Sequence, residues 1–139
     1  MIPKGYYAIL YKLPKDEGVG VKFPEHSNII TYGRDWEHAE EMAREALSLT
    51  LEADFELGFH LPEAKMPKAK RGERVIYVPL ESEVYVAYLL RDIREMESIT
   101  QKQMAERLKI AYQTYQRMER PGRSNLTVST LQRLARALN

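Results

Sequence analysis

The sequence predicts an α+β chain in two parts, β-β-β-α-β over residues 1–80 and helices alone over residues 81–139. Three observations carry this. Short runs rich in aromatic and branched residues, separated by turn residues, fill the first 32 positions. Beyond Pro79, apolar residues recur only at helical spacing. The charge divides along the same line: residues 1–80 carry 11 Lys/Arg against 13 Asp/Glu, a net −2, whereas residues 98–139 carry eight basic side chains against Glu106 and Glu119, a net +6. A basic end on a mildly acidic chain suits phosphate binding.

Residues 6–12, YYAILYK, read as a first strand, with LPKDEG as a turn and residues 19–23 as the return strand. Residues 28–32, NIITY, make a third, and the short polar connections between the three favour an antiparallel meander. Asp35 can cap a long helix over residues 36–57, in which Ala39, Met42, Ala43, Ala46, Leu47, Leu49 and Thr50 supply an apolar stripe. Its other face is acidic, with Glu37, Glu40, Glu41, Glu45, Glu52, Asp54 and Glu56 against Arg44 alone. Gly58 ends the helix, and residues 61–73 form a polar loop whose Lys65, Lys68, Lys70 and Arg71 keep it soluble. Residues 74–80, RVIYVPL, are a fourth strand, and Pro79 confines it to an edge or places the proline at its end.

Ser82 is expected to cap the first C-terminal helix, with Val86, Leu89, Leu90, Ile93 and Met96 inward. The next stretch, ITQKQMAERLKIAYQTYQRMERP, holds two short helices. Thr100 and Gln103 form a capping-box pattern, Met104, Ala105 and Leu108 share one face, and a break at residues 109–111 precedes a second run with Tyr115 and Met118 inward. Pro121 helps to end that run. Two short helices joined by a tight turn make a helix-turn-helix. After a polar loop at residues 123–125, Thr127 begins a last helix with Leu131, Leu134, Ala135 and Leu138 inward.

The polar faces of this pair suit duplex DNA. Tyr112, Gln113, Gln116 and Arg117 fall on the outer side of the second helix, where Gln can pair with adenine and Arg with guanine in the major groove. Gln101 and Lys102 open the first helix at its positive dipole end, and Arg123, Ser124 and Asn125 follow the second; these five are the expected phosphate contacts. One such motif reads only a few base pairs, so a homodimer or larger homo-oligomer on a palindromic double-stranded operator is expected.

Residues 87–138 resemble the Cro/C1 repressor family, through Thr100, Gln101, Ala105, Ile110, Thr114, Arg117 and Glu119 at its T-Q-x-x-x-A, I, T and R-x-E positions. Two positions depart from that pattern. Lys109 stands where the family turn usually has Gly, which predicts a left-handed residue at a cost of about 1 kcal/mol. Ala111 stands where the second helix usually has a Ser or Thr cap, a loss of about 1 kcal/mol.

The N-terminal half resembles the HicB antitoxin family. The matching pieces are the strand pair, Phe23-Pro24-Glu25 ahead of a strand, Gly33, Asp35, Glu37 and Ala39 at the helix start, the long Ala/Leu/Glu helix, and residues 75–78; PEHSNI replaces that family's fuller turn. The resemblance implies a partial RNase H-like fold for residues 1–80, joined to the helix-turn-helix domain at 81–139. It also implies an antitoxin that binds a small basic HicA-like ribonuclease toxin and represses its own operon. The acidic helix face could attract such a partner, although no toxin-contacting residue is assigned. The alternative is a stand-alone transcription regulator whose β-rich domain dimerises or senses a ligand.

Other chemistries find little footing. Zero cysteines exclude disulfides, thiol catalysis and Cys-ligated metals. A two-metal nuclease needs converging carboxylates, and the first strand has none, so no enzyme is expected. His26, His38 and His60 show no ligand spacing, so neither a metal nor a cofactor is expected. No run of about 18 apolar residues spans a membrane, and the N-terminal apolar run is too short for a secretory signal. A cytoplasmic protein is the expectation.

Overall fold

Strands β1 (Gly5–Lys12), β2 (Val19–Phe23), β3 (His26–Gly33) and β4 (Arg74–Pro79) form one antiparallel sheet in the order β3-β2-β1-β4. The computed structural model describes residues 2–122 and 126–138. A 3-10 turn at Pro14–Asp16 joins β1 to β2, and α1 (Trp36–Glu56) lies between β3 and β4. The chain divides into two compact units, Met1–Leu80 and Glu81–Asn139.

Alternation along the strands explains how the first unit is layered. Tyr6, Ala8 and Leu10 on β1, Val21 on β2 and Val78 on β4 are at most 2% exposed and share the face that α1 covers. From α1 come Ala39, Ala43, Leu47 and Leu51, four residues apart and all buried. Burying each of the leucines contributes roughly 1.5–3 kcal/mol. The small residues let helix and sheet approach closely: a Cβ on Gly33 would lie 2.3 Å from the Ala39 nitrogen. Asp35 caps α1 by accepting a bond from the His38 N–H at 2.8 Å, and His38 Nδ1 accepts one from the Arg34 N–H. Leu49 breaks the expected stripe and is 62% exposed, because it sits about 200° around the helix from Leu47.

β4 runs antiparallel to β1, with Tyr7 opposite Tyr77 and Leu10 opposite Arg74, so residues 57–73 must return along the length of the sheet. That return is anchored. Tyr6 Oη donates to the Pro62 carbonyl at 2.6 Å, the Lys65 N–H to Glu25 Oε1 at 3.1 Å, and Glu73 pairs with Lys22 at 3.3 Å. His26, expected in a loop, opens β3 and is buried edge-on against the Tyr6 ring. The aromatic contact holds it there, which its polar neighbours in sequence did not indicate.

The second unit contains α2 (Ser82–Glu97), α3 (Gln101–Leu108), α4 (Tyr112–Met118) and α5 (Val128–Leu138). Val86, Leu90, Met104, Ala105, Leu108, Tyr115, Met118 and Leu134 form its core. Three inward assignments from the sequence are corrected. Met96 is 80% exposed, lying about 80° off the Val86–Leu90 stripe in the last turn of α2. Leu131 and Ala135 are exposed because α5 turns Leu134 and Ala137 toward the core instead. Ser82 is the first helical residue rather than the cap; Glu81 holds the cap position without a side-chain bond.

Candidate nucleic-acid interface

The start of α3 is fixed by two reciprocal bonds. Thr100 Oγ1 accepts from the Gln103 N–H at 3.1 Å, and Gln103 Oε1 accepts from the Thr100 N–H at 2.8 Å, the capping box expected from the sequence. This spends the Gln103 side chain on the backbone and leaves Lys102 exposed and Gln101 half-buried in the first turn.

The turn from α3 to α4 depends on one residue. Lys109 adopts φ 57°, ψ 44°, the left-handed conformation predicted for the position where a glycine is usual. Its geometry lets the Ile110 N–H reach the Ala105 carbonyl at 3.1 Å, and Ile110 then packs on the core, as a Schellman ending requires. Ala111 opens α4 with extended backbone and no side-chain cap. The helix is consequently held from its far end.

That hold is a buried ionic cluster. Glu119, immediately after α4, is buried, with its side chain 3% exposed. Arg94 from α2 donates to it through Nε at 3.0 and 3.2 Å and through Nη2 at 2.6 Å, while Nη1 reaches the Ile99 carbonyl at 3.3 Å. Tyr115 Oη donates to Glu119 Oε2, an oxygen it shares with Arg94 Nε, at 2.5 Å. The hydrogen bond to Glu119 raises the Arg94 pKa, and burial followed by the same carboxylate pushes the Tyr115 phenol well above its ordinary value. Arg94 and Tyr115 therefore both keep their protons throughout the neutral range. Sequence reading placed Glu119 within a family pattern but missed Arg94. The available signal was a carboxylate between Met118 and Pro121, both of which are buried.

With α4 so fixed, Tyr112, Gln113 and Arg117 are exposed and Gln116 is half-buried. Gln113 and Arg117 are four residues apart on one outer line. On the neighbouring line, Gln116 Nε2 donates to Tyr112 Oη at 3.1 Å, so these two present themselves as a joined pair rather than as two free readers. The exposed cations Lys102, Lys109, Arg117 and Arg120 make no ion pair among the described residues, whereas Arg107 is bonded to Glu97. Arg123, Ser124 and Asn125, expected at phosphates, lie outside the described residues. Among the described residues, no three His, Asp or Glu side chains are grouped as metal ligands, and no helix is long and apolar enough to cross a membrane.

Residues 90–139 match the family model of the helix-turn-helix, of Cro/C1 type. No curated protein matches the chain. The C-terminal unit is a helix-turn-helix of the DNA-binding kind found in transcription regulators.

Proposed function

We propose that this chain is the antitoxin of a HicA/HicB-like toxin–antitoxin pair, repressing its own operon through the C-terminal unit and acting by binding alone, without catalysis. The observation that carries this reading is the pairing, in one chain, of an acidic β-β-β-α-β unit with a basic helix-turn-helix. The element order supports the HicB-like, partial RNase H-like assignment. The acidic side chains of α1, with Glu37, Glu41, Glu45 and Glu56 exposed, supply a field for a small basic ribonuclease. Such an antitoxin would work in the cytoplasm.

On the DNA side, Tyr112, Gln113, Gln116 and Arg117 read bases while Gln101 and Lys102 hold phosphates. Arg117→Ala is expected to cost about 1–3 kcal/mol on the preferred operator and to relax discrimination there. Lys102→Ala should weaken all duplexes alike and flatten the salt dependence by about one counterion. An equal loss on operator and random DNA from Arg117→Ala would remove the base-reading role.

The toxin side is tested by co-expressing the chain with the small reading frame beside its gene and purifying through a tag on this chain. A stoichiometric complex, together with growth arrest when the neighbour is expressed alone, establishes the antitoxin. Neither co-purification nor toxicity leaves a stand-alone transcription regulator.

A further inference from the structure

The N-terminal sheet has two edges, and they are built differently. β4 begins on exposed Arg74 and ends on Pro79, residues that discourage a further strand. β3, the other edge, reads HSNIITYG and has no Lys, Arg, Asp, Glu or Pro in eight residues. Among the described residues it pairs with β2 alone; Thr31 to Gly33 run in unbroken register with Val21 to Val19, and the irregular pairing between Val21 and Phe23 takes up residues 27–30. Outward backbone N–H and C=O groups are thus left open at the regular end of the strand, which carries neither the charge nor the proline that usually deters pairing.

The side chains beside this edge are unusually bare. Ile30 is 92% exposed and Tyr32 62% exposed, both on the sheet face opposite α1. Tyrosines cover that face: a Cβ on Gly20 would meet the Tyr11 ring at 2.5 Å, and one on Gly5 would meet the Tyr77 ring at 2.6 Å, so each ring occupies the space over a glycine on the neighbouring strand. Tyr7 packs edge-on against Tyr77 with centroids 5.1 Å apart, and the Lys22 ammonium sits 5.1 Å above the Tyr11 ring. Tyrosine-rich surface with little charge is the composition of a protein interface.

We propose that β3 is the joint between two copies of this chain, strand against antiparallel strand about a two-fold axis near Thr31, giving a continuous eight-stranded sheet. Antiparallel pairing of a strand with itself is self-complementary, as a two-fold interface must be. An edge without carboxylates offers nothing to a basic partner, and an edge without cations offers nothing to nucleic acid, whereas a second copy meets no opposing charge. Each copy's Ile30 and Tyr32 then leave water against the other's. The inference rests on the DNA-binding reading of the second unit, since one helix-turn-helix reads few base pairs and a pair reads a palindrome.

The test is the light-scattering mass of the full-length protein at micromolar concentration. Wild type is expected at twice the 16.2 kDa chain mass. Ile30→Lys combined with Tyr32→Lys should halve the wild-type mass, while Tyr77→Lys on the opposite edge leaves it unchanged. Both β3 positions are solvent-exposed, so helix circular dichroism and Trp36 fluorescence should match wild type, and each single lysine variant should weaken association in the same direction. A wild-type mass of one chain overturns the proposal. So does an undiminished mass in the folded β3 variant, including the case in which Leu131→Lys on α5 dissolves the dimer instead. Duplex binding is read separately: a mass that halves in a protein with no affinity for DNA would keep the joint and reject the DNA reading.

Discussion

Removing Glu119 tests whether the buried cluster holds α4 in place. In Glu119→Ala, Arg94 keeps, among the described residues, only the Ile99 carbonyl at 3.3 Å, and the buried Tyr115 hydroxyl loses the acceptor it has at 2.5 Å. Breaking a buried pair from one side costs about 3–5 kcal/mol, because the remaining charge stays desolvated. The C-terminal unit spans residues 81–139, and a unit of that size is stable by roughly 3–9 kcal/mol. The substitution should therefore remove between a third and all of its stability. Urea unfolding can isolate the effect, because the single tryptophan, Trp36, lies in the N-terminal unit. The helical circular dichroism of the second unit should melt at least ~1 M urea earlier, with the Trp36 fluorescence transition unmoved. Replacing the whole cluster, as Arg94→Met, Tyr115→Phe and Glu119→Leu together, should recover most of the loss, since apolar substitutes of similar volume are often neutral. A loss below about 1 kcal/mol in Glu119→Ala, the scale of a surface ion pair, refutes the reasoning. An apolar triple variant no more stable than Glu119→Ala does the same.

Three further outcomes are expected. Lys109→Gly should stabilise the C-terminal unit by about 1 kcal/mol in urea unfolding, because φ 57° is free for glycine and strained for lysine, while Lys109→Ala should not. Gly33→Ala should destabilise the N-terminal unit by about 1–3 kcal/mol or more, read from Trp36 fluorescence, since its methyl group would meet the backbone of α1. His26 gives the N-terminal unit an acid sensitivity. Burial lowers its pKa below 6.5 against the opposing pull of Asp54 and Glu25, so the folded imidazole stays neutral where the unfolded one takes a proton. Stability is full above pH 6.5 and falls as the pH drops through the folded pKa; His26→Phe should lose that part of the slope in melts between pH 7 and pH 5, and an unchanged slope would exonerate His26.

Local signals in this sequence were decisive where the backbone itself does the work. The Thr100–Gln103 box, the Asp35 cap and the left-handed Lys109 each follow from a few adjacent residues, and each has the expected bonds or angles. Periodicity alone was coarser. It placed Leu47 and Leu134 inside correctly but also took Leu49, Met96 and Leu131, since an apolar residue looks the same in sequence whether its neighbour in space is a core or water. What stayed hidden were contacts between distant segments. Arg94 and Glu119 are 25 residues apart, and Tyr6 meets Pro62 across 56; nothing near either member announces its partner.

The same limit explains the sheet edges. A β-β-β-α-β order leaves open which strand lies outermost, and HSNIITYG reads equally well as a buried edge or a bare one. Only the order β3-β2-β1-β4 shows that the strand lacking charge and proline is an outer strand, while the other outer strand carries both Arg74 and Pro79. Composition therefore acquires its meaning from position. An uncharged central strand is ordinary packing, but on an edge the same eight residues invite a partner strand. Under the proposed DNA reading Arg117 shows the converse: its meaning depends on Glu119, two residues away and buried, because an exposed guanidinium can read a base only if the helix beneath it is held in place.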